Sequence, residues 1–99
     1  MSKWTEATAI SDKVRREVWE RDQGCCIFCG SPHARAEAHY IPRSQGGMGI
    51  AKNILTVCRE CHRQLDESSK RQTKLAIARE YLESIYPDWN EEDLIYHKR

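Results

Sequence analysis

The sequence predicts a small α+β domain in which one metal ion staples a short sheet between flanking helices. Three observations lead there. Two Cys-x-x-Cys pairs, Cys26/Cys29 and Cys58/Cys61, stand a domain-sized distance apart. Between them lie two segments of strand character, residues 35–41 and 53–57. Apolar residues recur at helical spacing before the first pair and after the second.

The chain of 99 residues is one domain in length. With 39% hydrophobic and 31% charged residues its core is modest, and a metal or disulfide staple commonly compensates in domains this small. Five cysteines, four of them in metal-like pairs, argue for a metal site in a reducing compartment, hence a cytoplasmic protein, over a secreted disulfide frame. No apolar run is long enough to span a membrane, and the N-terminus has no signal-peptide pattern. The net charge of +1 makes no bulk argument for nucleic acid. Locally, Arg43, Lys52, Arg59 and Arg63 face a single carboxylate, Glu60.

Residues 1–10 read as a loose lead-in. Ser11 or Asp12 caps a helix running to about Asp22, with Val14, Val18 and Trp19 on its inner face, and Gly24 ends it. Cys26 to Gly30 reads as a knuckle, a tight turn that aims two thiolates at one point. Residues 35–41 form a strand that Pro42 stops. Three glycines between Gly46 and Gly49 make a loop, and residues 53–57 return as the second strand. A helix begins at Cys58 and runs to Asp66. Another, from Ser68 to about Ser84, carries Leu75, Ile77, Ala78, Tyr81, Leu82 and Ile85 as its apolar set and stops before Pro87. Asn90 caps a last turn from Glu91 to Tyr96. Trp4, Trp19 and Trp89 read as packing residues, and Lys70, Arg71, Lys74 and Arg79 as a solvated face.

Thiolates are soft ligands, and four of them in two equal pairs are what a closed tetrahedral zinc site requires. Cys26, Cys29, Cys58 and Cys61 are the candidate ligands; Cys25 competes with Cys26 by position, but the Cys-Gly ending of the knuckle favours Cys26. A zinc with four thiolates has no open position, so its role is structural. His62, beside Cys61, is an alternative fourth ligand.

The histidines lie where a bare zinc ribbon has no need of them. His62 and Asp66 are four apart and share a helix face, so an imidazole and a carboxylate can grip one hard or borderline cation such as magnesium, manganese, nickel or zinc. In a regular strand Glu37 shares the face of His39 and Ala38 points away. Glu37 then either reaches that cation or pairs with a neighbouring arginine such as Arg35.

The ordered set His39-Tyr40-Ile41-Pro42-Arg43-Ser44-x-Gly46-Gly47, then Asn53, then Cys58-Arg59-x-Cys61-His62 resembles the HNH endonuclease motif in its zinc-stapled form. The resemblance covers about residues 14–66, leaving 67–99 as a helical extension of one domain, and the flanking helices are similar to those of small phage-encoded members. It implies a ββα-metal (His-Me finger) fold. It also implies a metal-dependent endonuclease that hydrolyses DNA phosphodiester bonds, nicking as a monomer and leaving a 5′-phosphate and a 3′-hydroxyl. By resemblance, His39 is the general base, Asn53 braces the loop behind it, and His62 is a ligand of the catalytic divalent cation. Arg43, Arg59 and Arg63 are the candidate phosphate contacts. A phage terminase or other packaging protein is a partner by analogy, which places the chain in the host cytoplasm as a phage or prophage product. The family often has Asp or His as a ligand just before the base; this chain has Ala38. That departure supports the rival reading, a non-catalytic zinc-stapled nucleic-acid-binding or docking module.

Overall fold

The computed structural model describes residues 2–97 and places a two-stranded antiparallel hairpin among helices on both sides. The N-terminal residues read as a lead-in form a short helix, α1 (Lys3–Thr8), with Ser2 accepting from Thr5 N at 3.1 Å as its cap. Ser11 caps α2 (Asp12–Arg21) in the same way, accepting from Val14 N at 3.1 Å. The knuckle follows, then β1 (Ala34–His39), the glycine loop, and β2 (Ile54–Cys58). Cys58 ends the strand and caps α3 (Arg59–Leu65), and α4 (Ser68–Ile85) crosses back over the sheet. The residue before Pro87 is disfavoured in helical geometry, and α4 ends there.

All five residues of β2 are buried, because both faces of the hairpin are covered. Leu55 and Val57 face α3 and α4 in a cluster with Ala38, Tyr40, Ala78 and Leu82. Ile54 packs on the other side with Val18 of α2 and Ala36. Ala36 and Ala38 fall into different clusters although they are two apart, because a bulge interrupts the register: Ala36 pairs with Thr56, Ala38 with Leu55 and His39 with Ile54. Regular alternation therefore does not hold through Glu37, which sits at the bulge itself.

The fastening between these layers is a buried ion pair. Asp22, whose side chain is fully buried, receives Arg21 Nε at 2.7 Å and Arg21 Nη2 at 3.0 Å. The same carboxylate accepts the Thr56 backbone N–H at 2.9 Å and the Tyr81 hydroxyl. Arg21 spends its remaining donors on the carbonyls of Ala51 and Ile54, each at 2.8 Å, and on the Tyr86 hydroxyl at 3.2 Å. One pair thus joins α2, β2 and α4, although the buried hydroxyl of Thr56 beside it has no hydrogen-bond partner.

The glycine loop closes the other end. Gly47 N donates to Pro42 O and Met48 N to Leu94 O, while Gly49 N reaches Ala7 O at 3.0 Å. A Cβ at Gly47 would lie 1.6 Å from the Ile41 carbonyl oxygen, so only glycine lets the chain fold back on itself here. Three residues read as packing groups are placed differently: Trp4, Trp19 and Ile77 are 40%, 50% and 45% exposed. Trp19 and Ile77 lie at the margin of an apolar stripe, where spacing alone does not separate core from rim, and Trp4 lies in a helix of six residues, too short to define a stripe.

Asp22→Ala strands the Arg21 guanidinium, only 11% exposed, with no counter-ion. It should cost about 3–5 kcal/mol, read as a lower midpoint in urea unfolding of the metal-loaded protein; Tyr81→Phe, which removes one neutral donor, should cost roughly 1–3 kcal/mol.

Candidate metal centre and catalytic cleft

The knuckle delivers its two thiols through local backbone bonds: Cys26 N donates to Ser31 O at 2.9 Å and Gly30 N to Cys26 O at 2.9 Å. Ile27 N donates to Thr56 O at 3.1 Å, which fixes the knuckle beside β2. The first turn of α3 brings Cys58 and Cys61 to the same point. The sulfurs of Cys26, Cys29, Cys58 and Cys61 all lie within 4.8 Å of one another. Bonds of about 2.3 Å in a tetrahedron put sulfurs roughly 3.8 Å apart; Cys29 and Cys58 are 3.6 Å apart. The donor set and its spacing fit a zinc ion, and Cys25 stays outside the cluster.

Two of these thiols are shifted in opposite directions by their surroundings. Burial pushes the Cys61 thiol up to about 12, with the Cys58 and Cys26 thiols adding to it. Burial also raises Cys26, but backbone N–H groups led by that of Cys58 outweigh it and bring the thiol down to about 7. Holding all four as thiolates needs a positive charge at their centre, so binding metal releases protons. Lys74 of α4 helps from outside: its Nζ donates to Cys61 Sγ at 3.6 Å and lies 4.7 Å from the Phe28 ring centroid. Lys74, read as part of a solvated face, belongs to the metal centre.

A cleft of about 160 Å³ opens between β1 and α3, with Glu37, His39, His62 and Asp66 in its wall. His39 is half-buried. Its Nε2 lies 3.0 Å from the carbonyl oxygen of Thr8. A carbonyl only accepts, so Nε2 carries the hydrogen and Nδ1 keeps its lone pair. Burial holds the imidazole below its ordinary pKa, and repulsion from Arg43 and His62 lowers it further against the Thr8 bond. The result is a neutral ring of defined tautomer.

Asn53, fully buried, is the brace behind this ring. Its Oδ1 accepts from Ile41 N at 2.8 Å, and its Nδ2 donates to the carbonyls of Met48 at 2.8 Å and Ile41 at 3.2 Å. Its own carbonyl accepts Tyr40 N at 2.8 Å. The side chain thus replaces the ladder where β1 leaves the sheet, and it sets the loop that carries Arg43.

His62 lies on α3 and Asp66 caps its C-terminal end, four residues on. Both side chains, like that of Glu37, are exposed. Among the described residues the four cysteines are the one group of three or more such ligands converging within 4.8 Å. Glu37, His62 and Asp66 share a cleft wall without converging as they stand, and Glu37 lies 3.9 Å from Arg15. An imidazole and two carboxylates are a donor set that suits magnesium, manganese, nickel or zinc, and exposed side chains can rotate toward one ion with no change to the core.

Of the candidate phosphate contacts, Arg43 donates through Nε to Thr8 Oγ1 at 3.2 Å, beside His39. Arg59 is exposed on a groove continuous with the cleft through Glu37, His62 and Asp66. Arg63 pairs with Glu60 and with Glu67, the latter at 2.9 Å; both pairs are exposed, so phosphate can compete for the guanidinium. Thr8 is the site residue that the sequence does not announce. It lies in a helix too short to show a period, and a backbone carbonyl carries no side-chain signal.

A family model described as HNH endonuclease matches residues 26–75, the span holding the four cysteines, the cleft histidines and Asn53. The chain is also similar to Anaredoxin from Nostoc sp. (strain PCC 7120 / SAG 25.82 / UTEX 2576). The identity there is 31% over 51 residues, which is 50% of this chain and 67% of that protein. No helix among the described residues is long and apolar enough to cross a membrane.

The assignment of the four thiolates is tested by metal analysis of purified variants. Cys25→Ser should retain one tightly held zinc per chain and the parent melting temperature. Cys26→Ser should lose the zinc and much of the folding free energy that metal binding supplies.

Proposed function

The chain belongs to the HNH endonuclease family, and on that premise we propose that it is a metal-dependent endonuclease that nicks DNA, with His39 as general base. The observation that carries this reading is the state of His39. It is neutral by burial and fixed in one tautomer by Thr8, and it lies in a cleft shared with a cation-binding donor set.

In this reading Nδ1 of His39 takes a proton from water as the water oxygen attacks phosphorus. The bond to the 3′ oxygen breaks, that oxygen takes a proton from solvent water, and His39 later returns its proton to solvent, leaving a 5′-phosphate and a 3′-hydroxyl. A divalent cation would supply Lewis-acid stabilisation of the charge that grows on the phosphate and on the leaving oxygen. His62 and Asp66 would hold it, with Glu37 as a third ligand in place of the absent donor at Ala38. Ala38 itself is buried against Tyr40 and Leu55, so its side chain has no part in the ion's shell. Arg43 beside the base, with Arg59 and Arg63 along the α3 groove, would position the backbone of the strand. Asn53 acts through the loop and touches no reacting atom. We read residues 1–99 as one unit built on a 14–66 core. One cleft cuts one strand, so a monomer nicks. A terminase partner and a site of action in the host cytoplasm rest on the family resemblance alone.

A non-catalytic zinc-stapled binding or docking module is the second reading, and one observation favours it: the cleft donors do not converge as placed. Nicking of supercoiled plasmid decides between them. The intact protein should convert plasmid to open circles in magnesium, manganese or nickel, and a folded, zinc-loaded His39→Ala protein should lose about 10²–10⁴-fold in rate. A folded protein that shifts DNA in a gel and cuts in none of these metals would establish the binding module.

The pH profile is a further test. A base works only when unprotonated, so activity should rise with pH through the pKa of His39. Burial lowers that value, so the acid limb should fall below the usual imidazole value of about 6.5. The same sign governs stability. The unfolded chain binds this proton more readily, so the contribution of neutral His39 to folding is fully present above about 6.5 and is lost as pH falls through the lower folded value. A rate profile whose limb lies at or above 6.5 would be wrong for this base.

A further inference from the structure

We propose that the face of α2 and β1 around Trp19 is a stacking site for an unpaired DNA base flanking the strand to be cut. The location of that strand rests on the nuclease reading; the stacking site itself rests on the following geometry.

The indole of Trp19 leaves half its surface in solvent, an uncommon placement for the largest apolar side chain. It is nevertheless held. Gly24 N donates to Trp19 O at 2.9 Å, and a Cβ at Gly24 would come within 2.7 Å of the six-membered ring. The main chain at Gly24, at φ +66°, therefore lies directly against the indole and backs it. Beside it is an open depression of about 320 Å³ bordered by the small side chains of Ala34 and Ala36.

Charge identifies the occupant. Arg15, Arg16 and Arg35 border the depression against one carboxylate, Glu37. Arg15 makes only exposed contacts, with Asp12 at 3.6 Å and Glu37 at 3.9 Å. Arg16 and Arg35 form no ion pair among the described residues. An aromatic platform flanked by guanidiniums is the arrangement that takes single-stranded nucleic acid, the ring stacking on a base and the cations following its phosphates. A paired base hides both faces between its neighbours, so the platform selects an unpaired one.

Position supplies the connection. Glu37 lines both the depression and the cleft with His39, and Arg35 lines both the depression and the α3 groove with Arg59. A strand lying in the cleft can therefore pass over Glu37 and place a neighbouring base against Trp19.

The test is fluorescence anisotropy with the zinc-loaded His39→Ala protein, which does not cut on the nuclease reading, comparing a labelled blunt duplex with the same duplex bearing a short single-stranded tail. The tailed duplex should bind about tenfold more tightly, equivalent to ~1.4 kcal/mol. Adding Trp19→Ala should abolish the difference and leave blunt-duplex affinity unchanged, whereas Trp19→Phe should keep most of it. Zinc content and melting temperature should match the parent, since the indole is half exposed. Equal binding of the two duplexes, or a tail preference that survives Trp19→Ala, would overturn the proposal. Plasmid nicking by the unsubstituted protein reads the nuclease assignment separately, so either can fail alone.

Discussion

The arrangement depends first on a buried carboxylate. A two-stranded hairpin is marginal in water by itself, and here it must carry the imidazole, the brace and the loop of the candidate site. Asp22 makes that possible by tying the end of α2 to the backbone of β2 and to Tyr81 of α4 through a single side chain. The pair it forms with Arg21 is desolvated, and its worth lies less in net energy than in fixing which elements meet and where. The four-cysteine cluster does the corresponding work at the C-terminal end of β2. It joins the knuckle to the first turn of α3 and so sets the helix that bears His62 against the strand that bears His39.

Between these two fastenings the cleft divides into a rigid side and an adjustable one. His39 is locked: burial, the Thr8 carbonyl and the Asn53 brace determine its charge, tautomer and position together. Glu37, His62 and Asp66 are exposed side chains on a bulge and a helix end, and nothing in the core dictates their rotamers. A base must be positioned before the reaction, whereas ligands on flexible stems can be gathered by the ion and the phosphate they bind. The division follows the chemistry on the proposed activity, and it predicts weak cation affinity without DNA.

Much of this was legible in the sequence, for identifiable reasons. Cysteine spacing survives any uncertainty in the intervening chain, because Cys-x-x-Cys closes locally; all four sulfurs come together as the spacing required. Helix α2 was legible because Ser11 is a strong cap and Gly24 follows a full turn structure. The family motif placed Asn53 as a brace, and its three hydrogen bonds to the 41–48 loop fit that role. What the sequence withheld has one common cause: it depends on contacts between distant segments. The carbonyl of Thr8, the convergence of Thr56 and Tyr81 on Asp22, and the bulge at Glu37 are set by tertiary packing, and no local period encodes them. Trp19 was misplaced for a related reason, since a helical stripe specifies a direction but not how far the neighbouring layer extends.

That misplaced tryptophan bears, on the proposed activity, on how a substrate would be chosen. The reacting phosphate is the same in every nucleic acid, so selectivity must come from contacts beyond it. A net charge of +1 gives little long-range attraction for DNA, so on the proposed activity cations would act where they are concentrated, along the Arg59 groove and around Trp19. Phosphate contacts position a strand but carry no sequence information, and stacking on an indole accepts any exposed base. Both features discriminate by structure and not by sequence. On the proposed activity, a nuclease built this way should favour ends, flaps or frayed segments over intact duplex.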